Sequence, residues 1–382
     1  MKCRHFIRKH CLSCDLLSRD YLSSIASKEQ SLASLFPEHL YKIKPSVICQ
    51  QGTEGTRNKA KLAVTLIHNE IEFGFYNNNM QFKKLEDCPL HAPAINAVLV
   101  VLKKQLTTYK IIPYDLSSKK GELKYLLITY SESTNELLIR FVLRSKECLP
   151  RLKNITQELV TLNPGIKVIT ANIQSTHQAI LEGDEEVVLT SNDYITHQLD
   201  QYFLFQGPRS FFQTNSGMAL QLYQQFQKEL SVLSIHSFLD LYCGVGAFSF
   251  FAEKYCSKVM GIEISDAAIF YANKAKEING SMNTSFSAMD VEVFLQLQQP
   301  ASFDAIMVNP PRRGLNDSII AHLMRLAPAY LFYSSCNAKT LHRDLLQLEK
   351  QYQIQSLQIF DMFPFTSHFE TLAVLSNRRV TS

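Results

Sequence analysis

A chain of 382 residues exceeds one ordinary core and is expected to divide into two or three domains. With 46% hydrophobic and 19% charged residues it reads as globular. No apolar run approaches the ~20 residues of a membrane span, so no membrane association is expected. The net charge of +4 is unevenly spread: residues 1–62 carry eleven Lys and Arg against five Asp and Glu, a net of +6, which suits a polyanionic partner.

The opening MKCRHFIRKHC is polar and basic, unlike a signal peptide, so a cytoplasmic location is expected. Nine cysteines in a reducing compartment argue against a disulfide framework. Cys3, Cys11 and Cys14 form C-x7-C-x2-C, and the two-residue gap lets neighbouring thiolates share a metal centre. Cys88, before the turn-forming Pro89, is the leading fourth thiol. Four thiolates suit zinc or an iron–sulfur cluster, and spacing does not choose between them.

Residues 15–40 carry apolar positions at helical spacing up to Pro37. Residues 62–68 and 71–76 read as paired strands, 92–107 as a helix, and 123–131 with 137–143 as a hairpin around SESTNE. A helix over 147–162 and a strand over 167–172 complete a small α+β region, in which no motif carries chemistry. TRNKAK, Thr56 to Lys61, reads as a short cationic loop able to meet phosphate.

After Tyr202 strands and helices alternate: strands at 237–242, 258–264, 303–308 and 330–333, with helices at 216–230, 247–255, 266–279 and 317–327. Another helix follows Thr340, and strands 353–360 and 370–376 close the pattern. Such alternation means a doubly wound, mostly parallel sheet, here with an antiparallel end.

Chemistry-bearing motifs fall at the predicted strand ends. DLYCGVGAF, Asp240 to Phe248, is a strand entering a glycine turn that opens a helix. Gly244 and Gly246 allow a tight turn and close ligand approach, while the third glycine of a pyrophosphate site is missing. Glu263 ends the next strand, placed to accept ribose hydroxyls, so a nucleoside cofactor without pyrophosphate, S-adenosylmethionine, fits better than NAD. NPPRRG, Asn309 to Gly314, makes a rigid rim after another strand. Adenine and glutamine N-methyltransferases also carry Asn-Pro-Pro, but followed by an aromatic where this chain has Arg312. LFYSSCN places the thiol of Cys336 where a buried strand gives way to a loop, a suitable position for a nucleophile. In DMFPFTSHFE, His368 and Glu370 come to the start of the last strand, where a carboxylate needs a partner or a function.

PRSFFQTN, DLYCGVGAF, NPPRRG, SSCN and FPFTSHFE occur in the order and spacing of the RNA uracil-C5-methyltransferases, which the second half of the chain resembles. The resemblance implies a Rossmann-like class I S-adenosylmethionine-dependent methyltransferase sheet. It makes Cys336 the nucleophile that adds to uracil C6, and Glu370 the general base. Gln213, Tyr242, Glu263 and Asn309 would line the S-adenosylmethionine pocket, with Asn309 replacing the aspartate of many relatives. Cys3, Cys11, Cys14 and Cys88 match the ligands of a [4Fe-4S] cluster. The cysteine set, without an extra N-terminal β-barrel domain, is similar to the branch acting on 23S rRNA at a uridine of the 747 type. The tRNA branch lacks that set. The expected organisation is an iron–sulfur segment at 1–40, an RNA-contacting α+β domain at 41–195 that supplies Cys88, and a catalytic domain at 196–382. No obligate protein partner is implied. Methylation of a tRNA or another rRNA uridine, and a non-catalytic RNA-binding assembly factor, are the competing expectations.

Overall fold

The computed structural model describes residues 1–176 and 181–379. The chain forms two compact units, one from Met1–Leu12 and Gly52–His197, the other from Ser13–Gln51 and Gln198–Ser382.

The first unit is a seven-stranded sheet, in spatial order Phe82–Lys84, Glu70–Tyr76, Lys59–Ile67, Leu123–Ser131, Glu136–Leu143, Ile166–Ile173 and Glu185–Val188. Its pairings are antiparallel except Glu136–Leu143 with Ile166–Ile173, which are parallel. The helix Leu149–Leu162 makes the crossover that a parallel pair requires. Alternation along the strands sends Ala60, Leu62, Val64, Phe73, Leu126, Ile128, Ile139 and Phe141 to one face. There they join Ile95, Leu99 and Leu102 of the helix Pro93–Thr108 in a single buried core. TRNKAK is only half a loop, because Lys59 to Lys61 already belong to a strand.

The second unit holds an eight-stranded sheet in the order Ile43–Val47, Tyr352–Phe360, Glu370–Asn377, Tyr330–Ser335, Ala305–Val308, Ser237–Leu241, Lys258–Glu263, Thr284–Ala288. Only Glu370–Asn377 runs against its neighbours. Leu239, Leu241, Ile306 and Leu331 face a core shared with Leu323, Leu341, Leu345 and Leu32 from three helices. The opposite face is aromatic: Phe226 of the helix Ser216–Ser231 meets Phe238 and Phe332 at 5.6 and 5.1 Å between ring centres. The strand order reverses at Ser237–Leu241, the position where open α/β sheets leave a crevice outside their carboxyl ends. Ile43–Val47, not anticipated as a strand, adds a parallel edge beside Tyr352–Phe360.

Candidate functional site

Each motif of the second unit lies on that carboxyl rim. After Ser237–Leu241 the backbone enters the left-handed region at Tyr242 (φ 61°), Gly244 (φ 55°) and Gly246 (φ 88°). For a tyrosine this is a strained conformation, of the kind that persists where the surroundings enforce it. The two glycines serve different ends. A Cβ at Gly246 would come within 2.6 Å of the Phe286 ring, whereas one at Gly244 would meet nothing within 4 Å. Open space therefore lies before Gly244. Burial pushes the Tyr242 hydroxyl up to about 12, keeping it a neutral donor.

The carboxylate of Glu263 closes the loop from the neighbouring strand, accepting from the backbone N–H of Gly244 (3.3 Å) and of Ser265 (3.1 Å). Across the switch, the Asn309 N–H donates to the Leu241 carbonyl at 3.3 Å, joining the NPPRRG loop to the same rim. Tyr242, Glu263 and Asn309 thus follow or end three adjacent strands. Gln213 is buried before the helix Ser216–Ser231. Its near neighbour Asn215 caps that helix and donates to the Met362 carbonyl at 3.4 Å, which ties the segment to the loop preceding Glu370.

Cys336 and Glu370 meet through strand register. Ser335 pairs with Thr371 in the antiparallel ladder, so the next position on each strand brings the thiol beside the carboxyl. Glu370 is 2% exposed, and its Oε1 accepts from the Ser334 hydroxyl at 2.7 Å. Burial pushes this carboxyl up to about 7, with the Ser334 hydrogen bond opposing. The Cys336 thiol is raised by burial and by Glu370, and lowered by a hydrogen bond and charge from Arg312. Arg312 is held by its own backbone: its carbonyl accepts from Asn337 Nδ2 (3.0 Å) and Thr340 Oγ1 (3.2 Å) at the start of the helix Ala338–Leu348. A cation at hydrogen-bond distance and a helix N-terminus just after the sulfur both favour thiolate, while Glu370 opposes it until protonated.

Sequence reasoning assigned no role to three residues of this rim. Arg312 was visible only as a departure from the aromatic of the N-methyltransferases. Ser334 is the first serine of SSCN. Asp240, fully buried and pushed by desolvation up to about 7, accepts from Ser249 at 2.7 Å through Oδ2. Its Oδ1 has no hydrogen-bond partner among the described residues. A carboxyl at the head of a glycine-loop motif was the available signal.

The cysteine set is less complete. Cys3, Cys11 and Cys88 belong to the first unit, whereas Cys14 falls in the second. Within the first unit, Arg4 and His5, beside Cys3, each contact the Asp87 carboxylate at 2.6 Å, and Cys11 is close enough to Cys88 to influence its thiol. Among the described residues, however, no group of three or more His, Cys, Asp or Glu is arranged to hold a metal ion. Thiol donors suit iron or zinc chemically, but the four expected ligands are not gathered here.

A sheet with one antiparallel strand inside its end, a strained glycine loop and an acid ending the second strand define a class I methyltransferase. Residues 20–378 match the model of the tRNA (uracil-5-)-methyltransferase family, and the chain belongs to that family. It is 38% identical to the 23S rRNA (uracil(747)-C(5))-methyltransferase RlmC of Xenorhabdus nematophila, over 98% of this chain and 99% of that protein. The Pasteurella multocida protein of the same name is 36% identical over 99% and 100%. Among solved structures, the Pyrococcus abyssi tRNA (uracil-54, C5)-methyltransferase in complex with S-adenosyl-L-homocysteine superposes with a TM-score of 0.79 at 26% identity, over 95% of this chain and 86% of that one.

Proposed function

We propose that this chain methylates C5 of a uridine in 23S rRNA, of the 747 type, giving 5-methyluridine, and that it acts in the cytoplasm. The observation that carries the reading is the rung beyond Ser335–Thr371, which sets a thiol with an arginine neighbour beside a buried carboxyl at the carboxyl rim of the sheet. Uracil C5 is too weak a nucleophile to accept a methyl group unaided. In this reading the Cys336 thiolate bonds to C6 and its electron pair makes C5 electron-rich, with the ring held as an enolate. S-adenosylmethionine, when bound, supplies an electrophilic methyl group. Glu370 then takes the proton from C5, the C6–sulfur bond breaks, and Cys336 leaves as thiolate. A carboxyl pushed up to about 7 is matched to that proton transfer near neutral pH. Arg312 steadies the thiolate on both occasions.

Gln213, Tyr242, Glu263 and Asn309 are assigned to the S-adenosylmethionine pocket. The open space before Gly244 and the carboxylate fixed by two backbone N–H groups suit a nucleoside that brings no pyrophosphate. Residues 196–382 are taken as catalytic, 41–195 as RNA-contacting and 1–40 as the cysteine segment. Cys3, Cys11, Cys14 and Cys88 are assigned to a [4Fe-4S] cluster on their sequence pattern, supported by the contacts of Arg4 and His5, next to Cys3, with Asp87, next to Cys88. No step of the reaction passes through it. The same chemistry on tRNA is the second reading, prompted by the Pyrococcus abyssi structure. Full-length identities of 36–38% with the rRNA enzymes, against 26%, favour rRNA.

The test is release of tritium from 23S rRNA labelled at uridine C5, incubated with the protein and S-adenosylmethionine. Tritium release with 5-methyluridine formed at one position is expected. Methyl transfer without tritium release would mean attack through nitrogen or oxygen and would end the proposal.

A further inference from the structure

The cationic TRNKAK segment, left without a role by the chemistry above, lies on the sheet face of the first unit that turns away from its helices. Ala60 and Leu62 point into the helix-covered core, so Lys59 and Lys61 point to the other side. Register places Lys59 opposite Thr129, Lys61 opposite Leu127, and Ala63 between Tyr125 and Gly74. Tyr76 lies two residues beyond Gly74 on the same side and pairs with Phe82, their rings 5.5 Å apart and nearly perpendicular. Tyr125 joins this group, since the Tyr76 hydroxyl is near enough to act on its own. Toward the Glu185–Val188 edge the face is covered: Ile195 packs on Leu138 and Val168, and Arg140 is neutralised by Glu186 at 2.5 Å and Glu182 at 2.9 Å. Toward the other edge it carries three half-buried rings and two lysines.

The lysines distinguish this patch. Nearby Lys84 and Lys103 both pair with Glu72, whereas neither Lys59 nor Lys61 has an ion-pair partner among the described residues. Lys61 is exposed, and Lys59 is pushed down to about 8 by burial and by Lys61 and Arg140, with the Glu182 carboxylate opposing. Leaving cations unpaired beside each other is unfavourable unless an anion joins them. Cations alone would serve an acidic protein equally well. Half-buried aromatic rings beside them fit unstacked bases on a phosphate backbone better.

We propose that this half-open sheet face grips the RNA around the target uridine, with Lys59 and Lys61 on phosphates and Tyr76, Tyr125 and Phe82 against unstacked bases. The assignment rests on the RNA-methylating function above and names the surface that function needs. The test is fluorescence anisotropy with the full-length protein and a labelled RNA hairpin spanning uridine 747, over a series of salt concentrations.

Lys61→Ala, at an exposed position, is expected to weaken binding and to reduce the slope of log affinity against log salt by roughly 0.7, the release of one phosphate contact from a single strand. Tyr125→Leu is expected to weaken binding on the order of tenfold with the slope unchanged. Tyr125→Phe should restore most of that loss, which separates stacking from a general disturbance of the fold. Unchanged affinity and slope in Lys61→Ala and Tyr125→Leu would overturn the proposal, whether or not an acidic protein is bound there instead. Binding is read apart from methyl transfer. Loss of affinity in a protein that methylates nothing would refute the enzymatic reading alone.

Discussion

At the scale of the residue, the proposed reaction turns on where two protons reside. Cys336→Ala removes the sulfur proposed to attack C6 and is expected to abolish methylation while leaving S-adenosylhomocysteine binding, measured by calorimetry, intact. Glu370→Gln keeps the shape and removes the carboxylate proposed as base, so a covalent protein–RNA adduct should accumulate and resist denaturing electrophoresis. Full turnover without adduct would remove Glu370 from the mechanism. The raised carboxyls also make stability depend on pH. Glu370 and Asp240 hold their protons more tightly folded than unfolded, each pushed up to about 7 from 4.5 and 3.8. Their contribution is complete below the unfolded range near 4 and is lost as pH rises through about 7. For Glu370 the shift corresponds to about 3 kcal/mol at most, at 1.36 kcal/mol per pH unit. Urea midpoints of the wild type should therefore fall between pH 5 and 8, and Glu370→Gln should flatten part of that fall. An equally steep decline in the variant would show that this carboxyl ionises as readily as in water. The positions of Cys336 and Glu370 at strand boundaries were legible in the sequence, because a thiol or carboxyl there stands out. Arg312 and Ser334 were not: their importance is a matter of proximity, and only the strand register and the Asn337–Arg312 hydrogen bond bring them to the sulfur and the base.

At the scale of the element, the loop between Tyr352–Phe360 and Glu370–Asn377 is held from far upstream. Lys28, 1% exposed in the helix Tyr21–Leu35, pairs with the fully buried Asp361 at 2.5 Å and donates to the Phe363 carbonyl at 2.9 Å. Tyr21 donates to the same carboxylate at 2.6 Å, and Asp15 accepts from the Ser367 N–H at 2.9 Å. Phe365, at φ 59°, takes a conformation that these anchors enforce. Lys28→Met should destabilise the protein by about 3–5 kcal/mol, since it strands a buried charge. Adding Asp361→Leu should recover most of that loss, because the pair is then replaced by apolar packing. A denaturant series on both variants checks this; a cost below ~1 kcal/mol for Lys28→Met would mean that water or another cation reaches Asp361. The helix itself was readable from its apolar spacing, but not its partner, 333 residues away. Two strands of the eight-stranded sheet escaped sequence reading, for opposite reasons. Ile43–Val47 carries Pro45 and pairs irregularly at a sheet edge, while Thr284–Ala288 is built from small and polar residues. Neither shows the alternation or apolar run that exposed the central strands.

At the scale of the whole molecule, the alternation of strands and helices gave away the doubly wound sheet, and the antiparallel end followed from two closing strands with a nine-residue connection. The path of the first fifty residues was hidden. No local pattern tells that residues 13–51 join residues 198–382 in one unit while residues 1–12 join the other. That crossing of the chain passes between Cys11 and Cys14. Protein purified without oxygen is expected to be brown and to contain about four irons per chain if the cysteines hold a [4Fe-4S] cluster. Colourless protein with stoichiometric zinc would reassign the site. The far edge of the catalytic sheet has a different consequence, for synthesis. Ile43–Val47 emerges from the ribosome early, yet the strand it must lie against, Tyr352–Phe360, is among the last to be made. For most of translation this β-segment waits as an open seam, with its hydrogen-bonding groups unmatched. Closing so long a loop is slow, which makes the nascent chain, rather than the finished enzyme, the form most in need of chaperones.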